Sequence, residues 1–116
     1  MFQIKVITEP ISLSELREMA EHQFGSLVKA VVNIETKILA VGGEMHADEE
    51  AQMMSEGSRQ EDLWGINIYP DQPEANRVEF DSMINIRPYM NNRSRSVEDA
   101  ETQKKILAIV KKLVKE

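Results

Sequence analysis

The chain has no cysteine, which removes disulfides, thiolate metal sites and cysteine–histidine chemistry together. A reducing compartment is compatible with that composition, and a cytoplasmic protein is the expectation. Long hydrophobic runs are also missing: nothing approaches the roughly eighteen apolar residues of a membrane span. The opening Met1-Phe2-Gln3-Ile4-Lys5-Val6-Ile7 meets Glu9 and Pro10 before it attains signal-peptide length, so neither secretion nor membrane insertion is expected. Positive charge is in deficit. Fourteen Lys and Arg against twenty Asp and Glu leave a formal charge of −6, which favours solubility and opposes nucleic-acid binding unless a local basic patch overrides the repulsion. Absent too are the nucleophile elbow, the Walker loop, the dinucleotide fingerprint and the zinc-protease helix. Gly57-Ser58 ahead of Arg59-Gln60 reads as a cap and turn. No repeat, low-complexity tract or linker divides the sequence. Residues 1–116 are therefore expected to form a single domain, large enough to bury roughly two-thirds of its unfolded surface without staples.

What is present is organised around Gln60 to Pro88, which holds the only tryptophan. Between Val78 and Ile86 the residues Val78, Phe80, Ser82, Ile84 and Ile86 alternate with Glu79, Asp81, Met83, Asn85 and Arg87, the period of a half-buried strand. Trp64, Ile66 and Ile68 alternate in the same way with Leu63, Gly65, Asn67 and Tyr69. Joining the two runs through Pro70 to Asn76 sets Ile68 opposite Val78, Asn67 opposite Glu79, Ile66 opposite Phe80 and Gly65 opposite Asp81. A slip of one residue would turn Trp64 and Phe80 into water, so the core face determines the register.

Phe2 to Thr8 reads as a strand stopped by Pro10. Ser12 with Glu15 makes a capping box, after which Leu13, Leu16, Met19, Ala20 and Phe24 recur at helical spacing up to Gly25. Leu27 to Ile34 and Lys37 to Val41 form a hairpin about Glu35-Thr36, apolar on both faces and so central in the sheet. Asp48 to Glu56 is a short helix with Asp48 as its expected N-cap, Met53 and Met54 as its apolar contact, and Gly57 at its end. Asn91 to Arg95 is a polar loop. Ser96 with Asp99 is the expected start of a last helix, whose stripe is Ile106, Leu107, Ile109, Val110, Leu113 and Val114. The order βαββ(α)ββα gives an α+β fold: a mainly antiparallel sheet of about five strands, two longer helices on one face and one short helix. The helical crossover after the first strand leaves room for a parallel pairing there.

Three polar clusters exceed what the fold needs. The first is Glu44, His46, Asp48, Glu49 and Glu50, where His46 and Asp48 are candidate metal ligands by donor type alone, against capping as the ordinary role of the acids. The second is the polar face of the hairpin, with Asn67, Glu79, Asp81, Asn85 and Arg87. If the Gly42 to Gly57 segment covers that face, His46 and Asp81 form a candidate catalytic pair of base and carboxylate. The third is Arg87, Arg93, Ser94 and Arg95 before the last helix, a candidate anion site with Asn67 and Asn85 as further ligand-binding residues, against internal pairing of the arginines with Glu79 or Asp81. His22 reads as surface.

Gly42-Gly43-Glu44-Met45-His46-Ala47-Asp48-Glu49-Glu50, Gly57-Ser58-Arg59-Gln60-Glu61-Asp62-Leu63-Trp64-Gly65, Glu79-Phe80-Asp81-Ser82-Met83-Ile84-Asn85-Ile86-Arg87-Pro88 and Asn92-Arg93-Ser94-Arg95 together resemble an uncharacterised family of small prokaryotic proteins that carries only a domain-of-unknown-function label. That resemblance spans nearly the whole chain and implies no mechanism, cofactor or site residue. From the residues themselves the first expectation is a binding or self-associating module. It would hold a small anionic ligand or a protein partner, with Leu63, Tyr69 and Met83 as a dimer patch. The alternative is a hydrolase-type enzyme using His46 with Asp81 or Asp48, with or without a metal.

Overall fold

Runs that are apolar on both sides give a sheet with two faces to cover, and the protein covers each with different helices. A computed structural model describes residues 2–116. The elements are β1 (Lys5–Ile7), β2 (Ile11–Ser12), α1 (Leu13–His22), β3 (Val28–Asn33), β4 (Ile38–Val41), α2 (His46–Ser55), β5 (Leu63–Ile68), β6 (Val78–Glu79), α3 (Ala100–Leu113) and β7 (Val114–Lys115). An antiparallel sheet runs β1-β4-β3-β5-β6, and β2 pairs with β7 in a separate parallel ladder. This is an α+β fold.

The mainly antiparallel sheet is as expected, and the parallel pairing for which the crossover left room is not made: β1 pairs with β4 antiparallel. Because β1 and β3 are each antiparallel to β4, they run parallel to one another. The helical crossover through α1 thus joins two parallel strands, as crossovers do, but β4 lies between them.

One face is dry. Leu13, Leu16 and Ala20 of α1 and Ile106, Ile109, Val110 and Leu113 of α3 pack with Ala30, Val32, Trp64, Ile66 and Ile68, and Phe80 completes the cluster from its edge. Trp64 and Phe80 therefore share this side. Each fully buried aliphatic side chain here contributes about 1.5–3 kcal/mol. The caps that aim the helices are local. Ser12 accepts the Glu15 N–H at 3.0 Å, as its spacing predicts, whereas α3 is capped by Asp99, which accepts both the N–H and the hydroxyl of Thr102. Ser96 is not the cap; its carbonyl is held by Asn92. Leu107, expected in the stripe, is exposed.

The other face is covered by α2. Met53 packs on Val31, Ala40 and Leu63, with Ile4, Val6, Ile38 and Ile84 around them. Leu63 is thus buried under this helix rather than displayed as a dimer patch, and Met54 is exposed. Helix α2 starts two residues earlier than its acids suggest. Met45 stands at the N-cap without a side-chain hydrogen bond, and Asp48 lies in the first turn with its N–H on the Met45 carbonyl.

The nine-residue second strand of the hairpin is reduced to two. Its register is the expected one, Ile68 with Val78 and Asn67 with Glu79, but the chain then bends into a 3-10 turn at Met83–Asn85. Side chains take over the ladder. Asn85 accepts the Gly65 N–H at 2.8 Å and donates to the Gly65 carbonyl at 2.9 Å, the two bonds a neighbouring peptide group would make. Arg87 then donates to the Leu63 carbonyl at 2.7 Å and the Gln60 carbonyl at 2.6 Å. Ser82, not Asp81, covers Gly65: a Cβ added there would fall 2.5 Å from the Ser82 Cβ.

Candidate functional site

The site grows out of the way α2 is seated. Gly42 has φ +91°, and a Cβ on it would meet the Gln3 carbonyl oxygen at 2.3 Å, so the chain leaves β4 in a conformation that glycine allows. A Cβ on Gly43 would lie 2.7 Å from the Glu49 Cγ. That close approach lets the Gly43 N–H reach the Glu49 carboxyl oxygen at 2.9 Å. The first turn of α2 is thereby fastened to the strand before it.

His46 and Glu49 are three residues apart on α2 and so share its sheet-facing side. His46 Nε2 lies 2.8 Å from the carbonyl oxygen of Ile66. A carbonyl only accepts, so Nε2 carries the proton and, in the neutral ring, Nδ1 carries the lone pair. Burial lowers the pKa of His46 and nearby Lys29 lowers it further, while the Ile66 carbonyl, the Asn67 side chain and the charge of Asp81 act in the opposite direction. The imidazole is held in its uncharged form near neutrality. Glu49 is fully buried. Its pKa stands well above the usual carboxylate range, chiefly through burial, and the Gly43 N–H and Lys29 only partly offset this. Two ionisable groups one turn apart are thus both pushed toward neutrality, an arrangement that clusters at functional sites.

Beside His46 lies a polar shelf made by the strands. The register sets Lys29 of β3 opposite Asn67 of β5, with the Lys29 ammonium 4.7 Å from the centre of the Phe24 ring. Asn67 donates to Glu79 Oε1 at 2.9 Å, and the Tyr69 hydroxyl donates to the same oxygen at 2.9 Å. The Asn67 carbonyl oxygen is buried and accepts no well-aligned hydrogen bond among the described residues, although the Asn67 side chain lies close enough to His46 to raise its pKa. The Asn67 amide and the Glu79 carboxylate are thus bonded to each other beside the imidazole, and Lys29, across the ladder from Asn67, acts on His46 through its charge.

The other expected site residues lie elsewhere or are engaged. Asp48 is exposed and, two positions beyond His46, points to a different side of the helix. Among the described residues no group of three or more His, Asp or Glu comes together as a metal site. Asp81 acts on His46 through its field alone; its carboxylate is bonded to Arg95 at 2.6 Å. Asn85 and Arg87 are buried. Asn85 also donates to the Arg95 carbonyl, and the Arg87 guanidinium stacks 4.2 Å from the Trp64 ring centre. At the start of α3 the Arg93 N–H, Ser94 N–H and Ser94 hydroxyl converge on one oxygen, but it belongs to Glu98. These bonds hold the Glu98 carboxyl below its usual range, the Ser94 hydroxyl foremost.

Glu49, Lys29 and Asn92 were not among the expected site residues. His46, Glu49 and Met53 fall on one helical stripe, but helical spacing allows Glu50 in place of Glu49, so the sequence alone did not single Glu49 out. Asn92 gave none: it is buried, donates to the Asn85 and Ser96 carbonyls, and accepts the Glu98 N–H. A family model described as Protein of unknown function (DUF5674) matches residues 5–113. No curated protein and no solved structure matches the chain.

Proposed function

The chain belongs to this family of unknown function, and from that premise we propose that it is a small cytoplasmic binding protein whose ligand sits on the shelf beside His46. The observation that carries the reading is the 2.8 Å contact of His46 Nε2 with the Ile66 carbonyl, in a ring whose pKa burial lowers. With Nε2–H given to the Ile66 carbonyl, Nδ1 is the acceptor left for a ligand, and Lys29 is the cation nearest to it in effect. The matching ligand is a small molecule that offers an N–H or O–H to His46 and a carboxylate or phosphate to Lys29. The anion expected at Arg93, Ser94 and Arg95 is reassigned to this cation, because Glu98 and Asp81 already engage that loop. Self-association is the companion part of the proposal. Met45 at the N-cap of α2, Met54 on that helix, and Met83, Ile86 and Tyr89 on the turns after β6 are exposed, and flexible methionine surfaces suit partners of varied shape.

A second reading is favoured by the same anchor. A neutral imidazole oriented through Nε2 is what a general base requires, so a hydrolase using His46 with the field of Asp81 remains the alternative. A thermal-shift screen of nucleotides, phosphates, carboxylic acids and divalent metals separates the readings. A ligand of the folded form present at one hundred times its Kd adds about 2.7 kcal/mol. The proposal expects compounds that stabilise the wild type and fail to stabilise either His46→Gln or Lys29→Gln. Stabilisation that survives both substitutions contradicts it, and turnover of an ester or phosphoester that is lost in His46→Gln favours the enzyme.

A further inference from the structure

Charge is unevenly divided along this chain. Residues 100–116 hold five lysines and two glutamates, +3 in a chain of −6, which leaves the remainder at −9. On the α3 side of the sheet, opposite the face that holds His46, a groove of about 450 Å³ opens between α3 and the turn from β3 to β4. Its floor is Ile34, Ala108 and Ile109, and its rim is Lys37, Lys105 and Lys112 with Glu35 as the one acid. Lys105 and Lys112 are seven residues apart and so lie along one face of the helix.

Two features set this rim apart from an ordinary solvated lysine face. Lys104 and Lys111 have carboxylates at 3.4 and 3.9 Å, from Glu101 and Glu74, but no salt bridge engages Lys37, Lys105 or Lys112 among the described residues. Lys105 does feel Asp99, whose carboxylate is taken up first by Thr102. Lys37 also has φ +62°, a left-handed position that glycine or asparagine fills with less strain. The turn itself is made by Asn33, whose side chain accepts the Glu35 and Thr36 N–H groups and whose carbonyl accepts the Lys37 N–H. The lysine side chain is therefore not needed to form the turn.

We propose that this groove docks an acidic peptide segment bearing an apolar side chain, which lies on Ile34, Ala108 and Ile109 while its carboxylates face the three ammonium groups. The groove is poorly equipped to fix a small phosphate. It has no guanidinium fork, and the N–H groups of Glu35, Thr36 and Lys37 are spent within the turn. Lysines on flexible stems recognise charge rather than a fixed geometry, and the apolar floor adds contact area that a bare anion would not use.

The test is fluorescence anisotropy of a labelled nine-residue peptide of Glu, Asp and Leu, with a control peptide in which Gln and Asn replace the acids. The full chain should bind the acidic peptide, bind the control at least about tenfold more weakly, and lose affinity as salt rises. A Lys37→Gln, Lys105→Gln, Lys112→Gln triple variant should bind the acidic peptide at least about tenfold more weakly than wild type. The same three positions changed to Arg should retain binding, as should a Lys104→Gln, Lys111→Gln double variant. Equal binding of the two peptides, no binding of either, or unchanged affinity in the triple Gln variant overturns the proposal. Displacement of the peptide by inorganic pyrophosphate at similar concentration would overturn it in favour of a small-anion site. A wild-type dimer in sedimentation that the triple Gln variant dissociates would overturn it in favour of a second copy of the chain.

Discussion

The two faces of the sheet are built from the same strands by different rules. Under α1 and α3, Ala30, Val32, Ile66 and Ile68 are simply covered, and transfer from water accounts for their placement, while Trp64 near the start of β5 also takes the Arg87 guanidinium on its ring. Under α2, Met53, Val31, Ala40 and Leu63 form a much smaller apolar cluster, and the helix also carries a buried carboxyl and a half-buried imidazole over the sheet. Burying ionisable groups opposes folding. A helix whose only task was to cover the sheet would place apolar residues at positions 46 and 49, so the α2 face is where chemistry other than stability is to be sought.

The comparison breaks most visibly under truncation on the dry side. Ile66→Ala, at a fully buried position, should cost about 3–4 kcal/mol in urea unfolding, and a cost under about 1 kcal/mol would mean that this face is not the main core. At the sheet edge, Asn85→Ala removes the donor and acceptor that complete Gly65 and should cost about 2–3 kcal/mol, since partners are left unpaired in a buried setting. Unfolding of that variant at wild-type denaturant concentrations would show that the side-chain ladder contributes nothing.

Glu49→Gln should act in the opposite sense, stabilising the protein by about 1 kcal/mol at neutral pH while its amide oxygen still accepts the Gly43 N–H. The sign follows from linkage. The folded-state pKa of Glu49 is raised, so its contribution is fully present below the unfolded carboxylate value of about 4.3 and is lost as pH rises toward the folded value. That of His46 is lowered, so its contribution is present above about 6.5 and is lost as pH falls. The wild type therefore carries two opposed slopes between those limits, and Glu49→Gln should leave only the one due to His46. An unchanged stability profile would contradict the assignment. The smallest effect belongs to the half-exposed Arg95–Asp81 pair: Arg95→Ala should cost less than about 1 kcal/mol and less still at high salt.

Much of the dry face was legible in the sequence. Alternation assigned Trp64, Ile66 and Ile68 to one side, and the register Ile68 with Val78 followed from keeping Phe80 there too. Alternation cannot, however, distinguish a strand from extended chain that bends away. Asn85 and Arg87 satisfy β5 through side chains, and their polar character read equally well as a ligand site. The β2–β7 ladder escaped notice because two-residue strands carry no period. The polar side was half legible. His46 stood out by type, but Glu49 and Glu50 look alike in sequence, and only the seating of α2 against Gly43 decides that Glu49 is the one buried without remaining exposure.

The state of the His46 ring tests the account most directly. A ¹⁵N-resolved pH titration of the imidazole should show a neutral ring at pH 7, with the proton on Nε2 and protonation setting in only below the usual histidine range. A ring protonated at pH 7, or a neutral ring with its proton on Nδ1, would contradict the anchored-base geometry and the proposed site with it.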